Sequence, residues 1–158
     1  MHVRLFWAIC FSVLIASIPS LAASGLVPGS KDKCPVCGMF TSKYQDFLGS
    51  IELESGRRLW FDGAKDFFKY YIDPAAYGDG QQKTQNFKMI LVTDYYAVQL
   101  IDARTAWYVL GSDIFGPMGH ELIPFAKEGD AREFMADHGG KRLLRFTEIN
   151  AGILKGLE

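Results

Sequence analysis

The fold is decided by the stretch RLWFDGAKDFFKYYI at residues 58–72. Residues 58–61 predict a strand that returns, through a Ser-Gly turn, along a loosely alternating strand at residues 47–53. Asp62 is a suitable N-cap for a helix over residues 64–72. One apolar face of this helix is formed by side chains at helical spacing, namely Ala64, Phe67, Phe68 and Tyr71. A β-hairpin followed by an amphipathic helix favours an α+β fold.

The second half of the chain repeats this outline. Strands are predicted at residues 87–93, 97–101, 106–110, 122–126 and 143–146, and helices at residues 129–138 and 148–154. Residues 111–119 carry several glycines and a proline, and are predicted to form a loop. Because both halves place an amphipathic helix after strands, the sequence hints at a duplicated unit of two strands and a helix.

The first residues have the layout of a secretory signal peptide. A short positive start, Met1-His2-Val3-Arg4, precedes an apolar stretch at residues 5–18 that is too short to span a bilayer comfortably. Small residues follow, so we expect export to the periplasm with cleavage after Ala22 or Ala23, and membrane association if the signal stays uncleaved. No Cys directly follows the apolar stretch, so the expectation is a protein without a lipid anchor.

The chain divides into several predicted segments. They are a signal peptide at residues 1–23, a flexible lead-in at 24–33, a first α+β lobe at 34–77, a linker at 78–86 and a second α+β lobe at 87–158. The sequence has 17 basic and 18 acidic residues, and cleavage removes Arg4. That balance gives no reason to expect nucleic acid or an anionic membrane surface as a partner.

The motif Cys34-Pro35-Val36-Cys37-Gly38-Met39 places three soft sulfur donors within six residues. Soft donors close together suit Cu(I), and suit zinc less well. The alternatives are a redox dithiol, a structural disulfide and half of a zinc site. A zinc site needs a second Cys or His pair at similar spacing, which the sequence lacks, and a disulfide across so short a loop stabilises little. Metal binding is therefore favoured, with the redox alternative left open.

A second soft donor lies far downstream, in Gly116-Pro117-Met118-Gly119-His120. A methionine in a mobile loop has little to pack against, and this segment offers one thioether and one imidazole. Packing in an irregular gap is the competing interpretation for Met118. No hydrolase or phosphate-loop motif is present, so no catalytic residue is predicted. Four aspartates at caps and turns, Asp62, Asp94, Asp102 and Asp113, are expected to have capping or solvated roles.

Several motifs in series carry a family resemblance. They are Asp32-Lys33 with the cysteine motif, Ile101-Asp102-Ala103-Arg104, Trp107-Tyr108-Val109-Leu110-Gly111-Ser112-Asp113, Gly116-Pro117-Met118-Gly119, and the segment from Phe125-Ala126 to His138-Gly139-Gly140. From about residue 32 to 149 the sequence resembles the NosL family of exported copper chaperones for nitrous-oxide reductase assembly. The resemblance implies two similar small ββαβ lobes, related to the organomercurial lyase fold. Many family members are lipoproteins, and this sequence departs from that pattern by having no Cys directly after its apolar stretch.

The resemblance also implies a function. It implies one Cu(I) held by soft ligands, delivery to the copper-sulfur site of nitrous-oxide reductase, and a membrane ABC-type transporter complex as a further partner. The ligand candidates carried over by position are Cys34, Cys37, Met39 and Met118, and His120 is added for its closeness to Met118. The hypothesis is a periplasmic metallochaperone that is not an enzyme and has no small-molecule substrate. The alternative is a thiol-disulfide oxidoreductase or an organomercurial-lyase-like protein that uses the Cys34/Cys37 dithiol.

Overall fold

The computed structural model describes residues 26–78 and 87–158. The predicted signal peptide, and the predicted linker apart from residue 78, lie outside the described residues. The strands are β1 (Gly49–Leu53), β2 (Arg58–Phe61), β3 (Phe87–Asp94), β4 (Gln99–Asp102), β5 (Trp107–Gly116), β6 (Gly119–Phe125) and β7 (Arg142–Arg145). The helices are α1 (Ala64–Ile72), α2 (Pro74–Tyr77), α3 (Glu128–Asp137) and α4 (Ala151–Lys155). Within these two ranges, no helix has both the length and the apolar character needed to cross a bilayer.

The strands form two antiparallel sheets with the same internal order. One sheet runs β2-β1-β3-β4 and the other runs β6-β5-β7. In each sheet, the strand that follows the long helix pairs with the first strand of the hairpin, which generates a ββαβ unit twice. The α+β fold class is confirmed. The division into lobes at residue 87 stays a prediction, but β3 and β4, which were grouped with the second half, are hydrogen-bonded into the first sheet.

Helix α1 carries the aromatic centre of the core. Phe67 and Phe68 on its apolar face are completely or almost completely buried. The ring of Phe68 lies 5.2 Å from Tyr108 of β5 and 5.2 Å from Phe146, measured between centroids. Burying each such ring stabilises the fold by about 1.5–3 kcal/mol. Because these contacts reach the second sheet, the amino-terminal end of α1 is fixed against both halves of the protein.

The predicted loop at residues 111–119 is wrong. Strand β5 continues to Gly116 and β6 begins at Gly119, so that Pro117 and Met118 form a two-residue turn. A register shift between Leu110 and Phe115 interrupts the ladder without ending the strand. A bulge of this kind accommodates the glycine content that resembles a loop in the sequence. Met118 therefore sits at the tip of a hairpin.

Candidate metal centre

The cysteine motif folds as a tight, closed turn. The backbone N–H of Cys34 donates to the carbonyl of Met39 at 2.9 Å, and that of Gly38 donates to the carbonyl of Cys34 at 2.9 Å. Gly38 has a φ of +80°, in the left-handed region that glycine tolerates best. Lys33 and Phe40 form a β-bridge at the base of the turn. Both thiols are thus presented from one short segment with a fixed backbone.

Replacing Gly38 with alanine is expected to destabilise the fold by about 1–2 kcal/mol, because an L-residue is strained in the left-handed region. An added Cβ would meet no heavy atom within 4 Å, so no steric clash contributes. Urea unfolding of the metal-free protein measures the effect. Gly129→Ala is a matched control, since its Cβ also meets nothing and its φ is not in that region. Equal free energies of unfolding for the two variants would contradict the strain argument.

Two carboxylates from the start of α1 face the two thiols. The Cys34 Sγ lies 3.4 Å from Asp66 Oδ2, and the Cys37 Sγ lies 3.2 Å from Asp62 Oδ1. One ligand atom from each of the four residues lies within 4.8 Å of every other. The predicted capping role of Asp62 is wrong, because Gly63 is the N-cap residue and receives no side-chain cap. The Asp62 side chain turns to the thiol because it lies between the end of β2 and the helix.

The group is buried and rich in potential negative charge. Cys34 is 2% exposed, Asp62 is 1% exposed and Asp66 is 3% exposed, whereas Cys37 is half-buried. Burial, reinforced by the neighbouring aspartates, raises the pKa of the Cys37 thiol to about 12 and raises the pKa of Cys34 further above its ordinary value. The Asp62 Oδ2 atom is buried and has no hydrogen-bond partner among the described residues. An unpartnered buried carboxylate oxygen is costly, and a cation bound beside it would remove that cost.

The other three predicted ligands differ in their exposure and in the residues that they contact. Met39 is half-buried and closes the cysteine turn through its carbonyl. Met118 is 46% exposed at the hairpin tip, and its carbonyl accepts a bond from Lys65 Nζ at 2.6 Å. His120 is exposed and its ring centroid lies 4.8 Å from that of Phe115, in the wall of a cavity of about 550 Å³. The structure does not include His120 in the thiol-carboxylate group, and the three ligand roles stay predictions.

The NosL family matches residues 27–154, which is more than half of the chain. The chain belongs to the NosL family. The resemblance inferred from its motifs is therefore confirmed.

Two NosL proteins illustrate the relationship. The "Copper-binding lipoprotein NosL" of Stutzerimonas stutzeri is 30% identical over 131 residues, which cover 78% of this chain. The chain spans 65% of the length of that relative. The copper chaperone NosL from Shewanella denitrificans, known from a crystal structure, has 29% sequence identity to this chain. The two structures superpose with a TM-score of 0.63, and the match covers 78% of this chain and 93% of that one. The fold described above is thus a NosL fold.

The NosL-family motifs used in the sequence analysis do not include the two carboxylates. The capping rule assigns Asp62 to the helix start, and no local sequence pattern gives Asp66 a role. The available signal is that the two aspartates flank the predicted start of the helix at Ala64, four positions apart. Asp66 is also followed directly by the buried Phe67, which indicates that this part of the helix surface is enclosed.

A third acidic residue, Glu121 of β6, contacts the amino-terminal end of α1. Its Oε1 accepts hydrogen bonds from the backbone N–H of Lys65 at 2.5 Å and of Leu122 at 2.9 Å. Its carboxyl group occupies the space that a side chain on Gly63 would need, since an added Cβ would collide with it. Burial raises the pKa of Glu121 to about 8. This residue fixes the helix start on which the metal centre is built.

Proposed function

We propose that this chain is a metallochaperone that binds one Cu(I) ion as cargo and passes it on. The observation that carries the proposal is the convergence of two thiols and two buried carboxylates at the start of α1, with one carboxylate oxygen that has no hydrogen-bond partner among the described residues. The names of its relatives in Stutzerimonas stutzeri and Shewanella denitrificans, a copper-binding lipoprotein and a copper chaperone, support copper as the cargo. The proposed role is binding and transfer, without catalysis.

The donor set supports the monovalent ion as the proposed cargo. Cu(I) is soft and favours thiolates and thioethers, so Cys34 and Cys37 are the primary ligands, and Met39 or Met118 completes a low coordination number. In the metal-free protein, Asp62 and Asp66 accept hydrogen bonds from the two thiols. Copper must displace the protons of these thiols. Binding therefore exchanges thiol protons for the metal ion.

Exposure of part of the donor set supports transfer. Cys34 is buried, whereas Cys37 is half-buried and Met118 is exposed. A partner can reach the ion through these more exposed ligands and replace them one at a time. A fully enclosed site would retain its metal more tightly but would release it slowly.

The thiol environment weighs against the redox alternative. A dithiol that attacks disulfides needs a lowered thiol pKa, usually from a nearby cation or a helix amino terminus. Here burial is the largest influence and raises the pKa of both cysteines, and the nearby aspartates act in the same direction. Thiols that stay protonated at neutral pH are poor nucleophiles but become good ligands when copper displaces the proton.

Titration with Cu(I) against a chromophoric chelator tests the proposal. We expect near-stoichiometric binding by the wild type, loss of binding in Cys34→Ser/Cys37→Ser, and binding weakened by about tenfold or more in Met118→Leu, the size of one lost ligand contact. Met89→Leu is a matched control, because Met89 lies in β3, where it pairs with Glu52 of β1, and is not among the candidate ligands. Wild-type binding no tighter than that of the double cysteine variant would refute the chaperone function.

We propose further that the cargo reaches nitrous-oxide reductase in the periplasm, with the membrane ABC-type transporter complex of the same pathway as a second partner. Membership of the NosL family supports this assignment. Incubation of the copper-loaded chain with copper-free reductase tests it, with recovered reductase activity as the readout. We expect activation by the wild type and none by Cys34→Ser/Cys37→Ser, and an inactive reductase after both incubations would contradict the proposed client.

A further inference from the structure

Lys65 is a buried lysine in the first turn of α1, where it directly precedes Asp66. It is 3% exposed. A buried ammonium group is costly unless its protons are donated to acceptors. The Lys65 Nζ donates to the Met118 carbonyl at 2.6 Å and to the Leu157 carbonyl at 3.4 Å. These two hydrogen bonds offset the cost of burying the ammonium group, and they join α1 to the hairpin tip and to the end of the chain.

Both ends of Lys65 are held by the β5–β6 hairpin. Its backbone N–H donates to the Glu121 carboxylate of β6, and its side chain donates to the turn between the two strands. The next residue along the helix, Asp66, contacts the Cys34 thiol. Lys65 thus connects the thiol-carboxylate group to the residue that carries the distant thioether, across 53 positions in the sequence.

The side chains at the hairpin tip do little to fix its direction. Phe115 is 59% exposed and Met118 is 46% exposed. The cross-strand pair of Gly116 with Gly119 lies within the hairpin, so it sets the shape of the tip but not its position relative to α1. The bond from Lys65 Nζ to the Met118 carbonyl, together with the bond from the Lys65 N–H to Glu121, ties the tip to α1.

We propose that Lys65 is a positioning residue that holds the Met118 thioether at the Cu(I) site formed by the two cysteines. The lysine does not contact the metal. It holds the backbone of Met118 in place, which limits the positions that the flexible thioether can reach. This inference rests on the proposed function, because it takes Met118 as a copper ligand.

A double-mutant cycle with Cu(I) as the probe tests the proposal. Lys65→Leu is expected to weaken Cu(I) binding by about tenfold, the size of one charge-assisted hydrogen bond. Combined with Met118→Leu it should add no further loss, because both changes remove the same ligand. Lys65→Arg, which keeps a charged donor, should recover most of the affinity. Lys69→Leu is the charge control, since Lys69 also lies on α1 with its Nζ 4.0 Å from Asp66 Oδ1 but pairs with Glu158 at 3.0 Å.

Two further readouts separate positioning from a general loss of structure. X-ray absorption of the copper-loaded protein should show about one sulfur ligand fewer in Lys65→Leu than in the wild type, because the Met118 thioether is no longer held at the site. In the metal-free protein, amide hydrogen exchange at Gly119 should be faster in Lys65→Leu and unchanged in Lys69→Leu. If Lys65→Leu does not fold, Lys65→Gln provides a second comparison, because its shorter, uncharged side chain is expected to lose the bond to the Met118 carbonyl.

The outcomes distinguish this inference from the proposed function. Additive losses in the cycle, an unchanged sulfur count in Lys65→Leu, or an equal loss in Lys69→Leu would overturn the positioning role while Cu(I) binding by the cysteines stands. A Met118→Leu variant that binds Cu(I) like the wild type would overturn it as well. A wild-type protein that does not bind Cu(I) would instead refute the proposed function, and the inference with it.

Discussion

Lowering the pH by one unit between about 8 and 6 is expected to weaken Cu(I) binding about a hundredfold. Burial raises the pKa of Cys37 to about 12 and that of Cys34 further, so both thiols carry protons throughout this range. Binding as two thiolates then releases two protons. Each released proton changes the apparent binding constant by about tenfold per pH unit.

The measurement is a series of Cu(I) competition titrations against a chelator whose own proton affinities are known. The logarithm of the binding constant, plotted against pH, should have a slope close to two, as expected for two displaced protons. In Cys34→Ser, which keeps one thiol, the slope should fall to about one. A slope near zero in the wild type would show that the cysteines are already ionised, and would contradict the described burial of the thiols.

The free energy of unfolding of the metal-free protein is expected to fall by about 1.4 kcal/mol for each pH unit between about 5.5 and 7.5. The cause is Glu121, whose pKa is raised by burial from its ordinary value of 4.5 to about 8. A carboxyl group with a raised pKa binds its proton more tightly in the folded state than in the unfolded state. Its stabilising contribution is therefore complete below about pH 4.5 and is lost as the pH rises towards 8.

Urea unfolding at several pH values checks this result, with Glu121→Gln as the matched variant. Glutamine resembles the protonated carboxyl group in size and can still accept the backbone bonds of Lys65 and Leu122. We expect the variant to lose most of the pH dependence and to be more stable than the wild type near pH 8. Parallel stability curves for the two proteins would show that Glu121 is not the titrating group.

Local rules predicted the elements that carry strong periodicity. Helix α1 begins and ends where its apolar spacing placed it, and β2 has the predicted bounds. The hairpin of β5 and β6 was missed because its glycines and its proline, which mark loops in most sequences, here sit at a bulge and a two-residue turn. Strand pairing across a bulge depends on the partner strand, which no local pattern contains.

The candidate site was half predicted for a similar reason. Cys34 and Cys37 are visible because their spacing is itself a motif. The contact of Cys37 with Asp62 spans 25 positions, and that of Cys34 with Asp66 spans 32. Aspartate is a favoured cap residue just before a helix, so the local rule predicts a cap at Asp62. In this fold its side chain instead contacts the Cys37 thiol. The pairing of the thiols with the carboxylates depends on how α1 packs against the cysteine turn, and no local sequence pattern reports that packing.

These long separations also set an order of events during folding. The Lys65 bonds to Met118 and Leu157 close loops of 53 and 92 positions, so they form late in a chain that emerges amino end first. Until α1 has docked, the Asp62 and Asp66 carboxylates cannot cover the thiols, which remain open to oxidants. Docking of α1 onto the cysteine turn therefore ends the period in which the two thiols are open to disulfide formation. The proposed copper site is complete only once the hairpin that carries Met118 has joined α1.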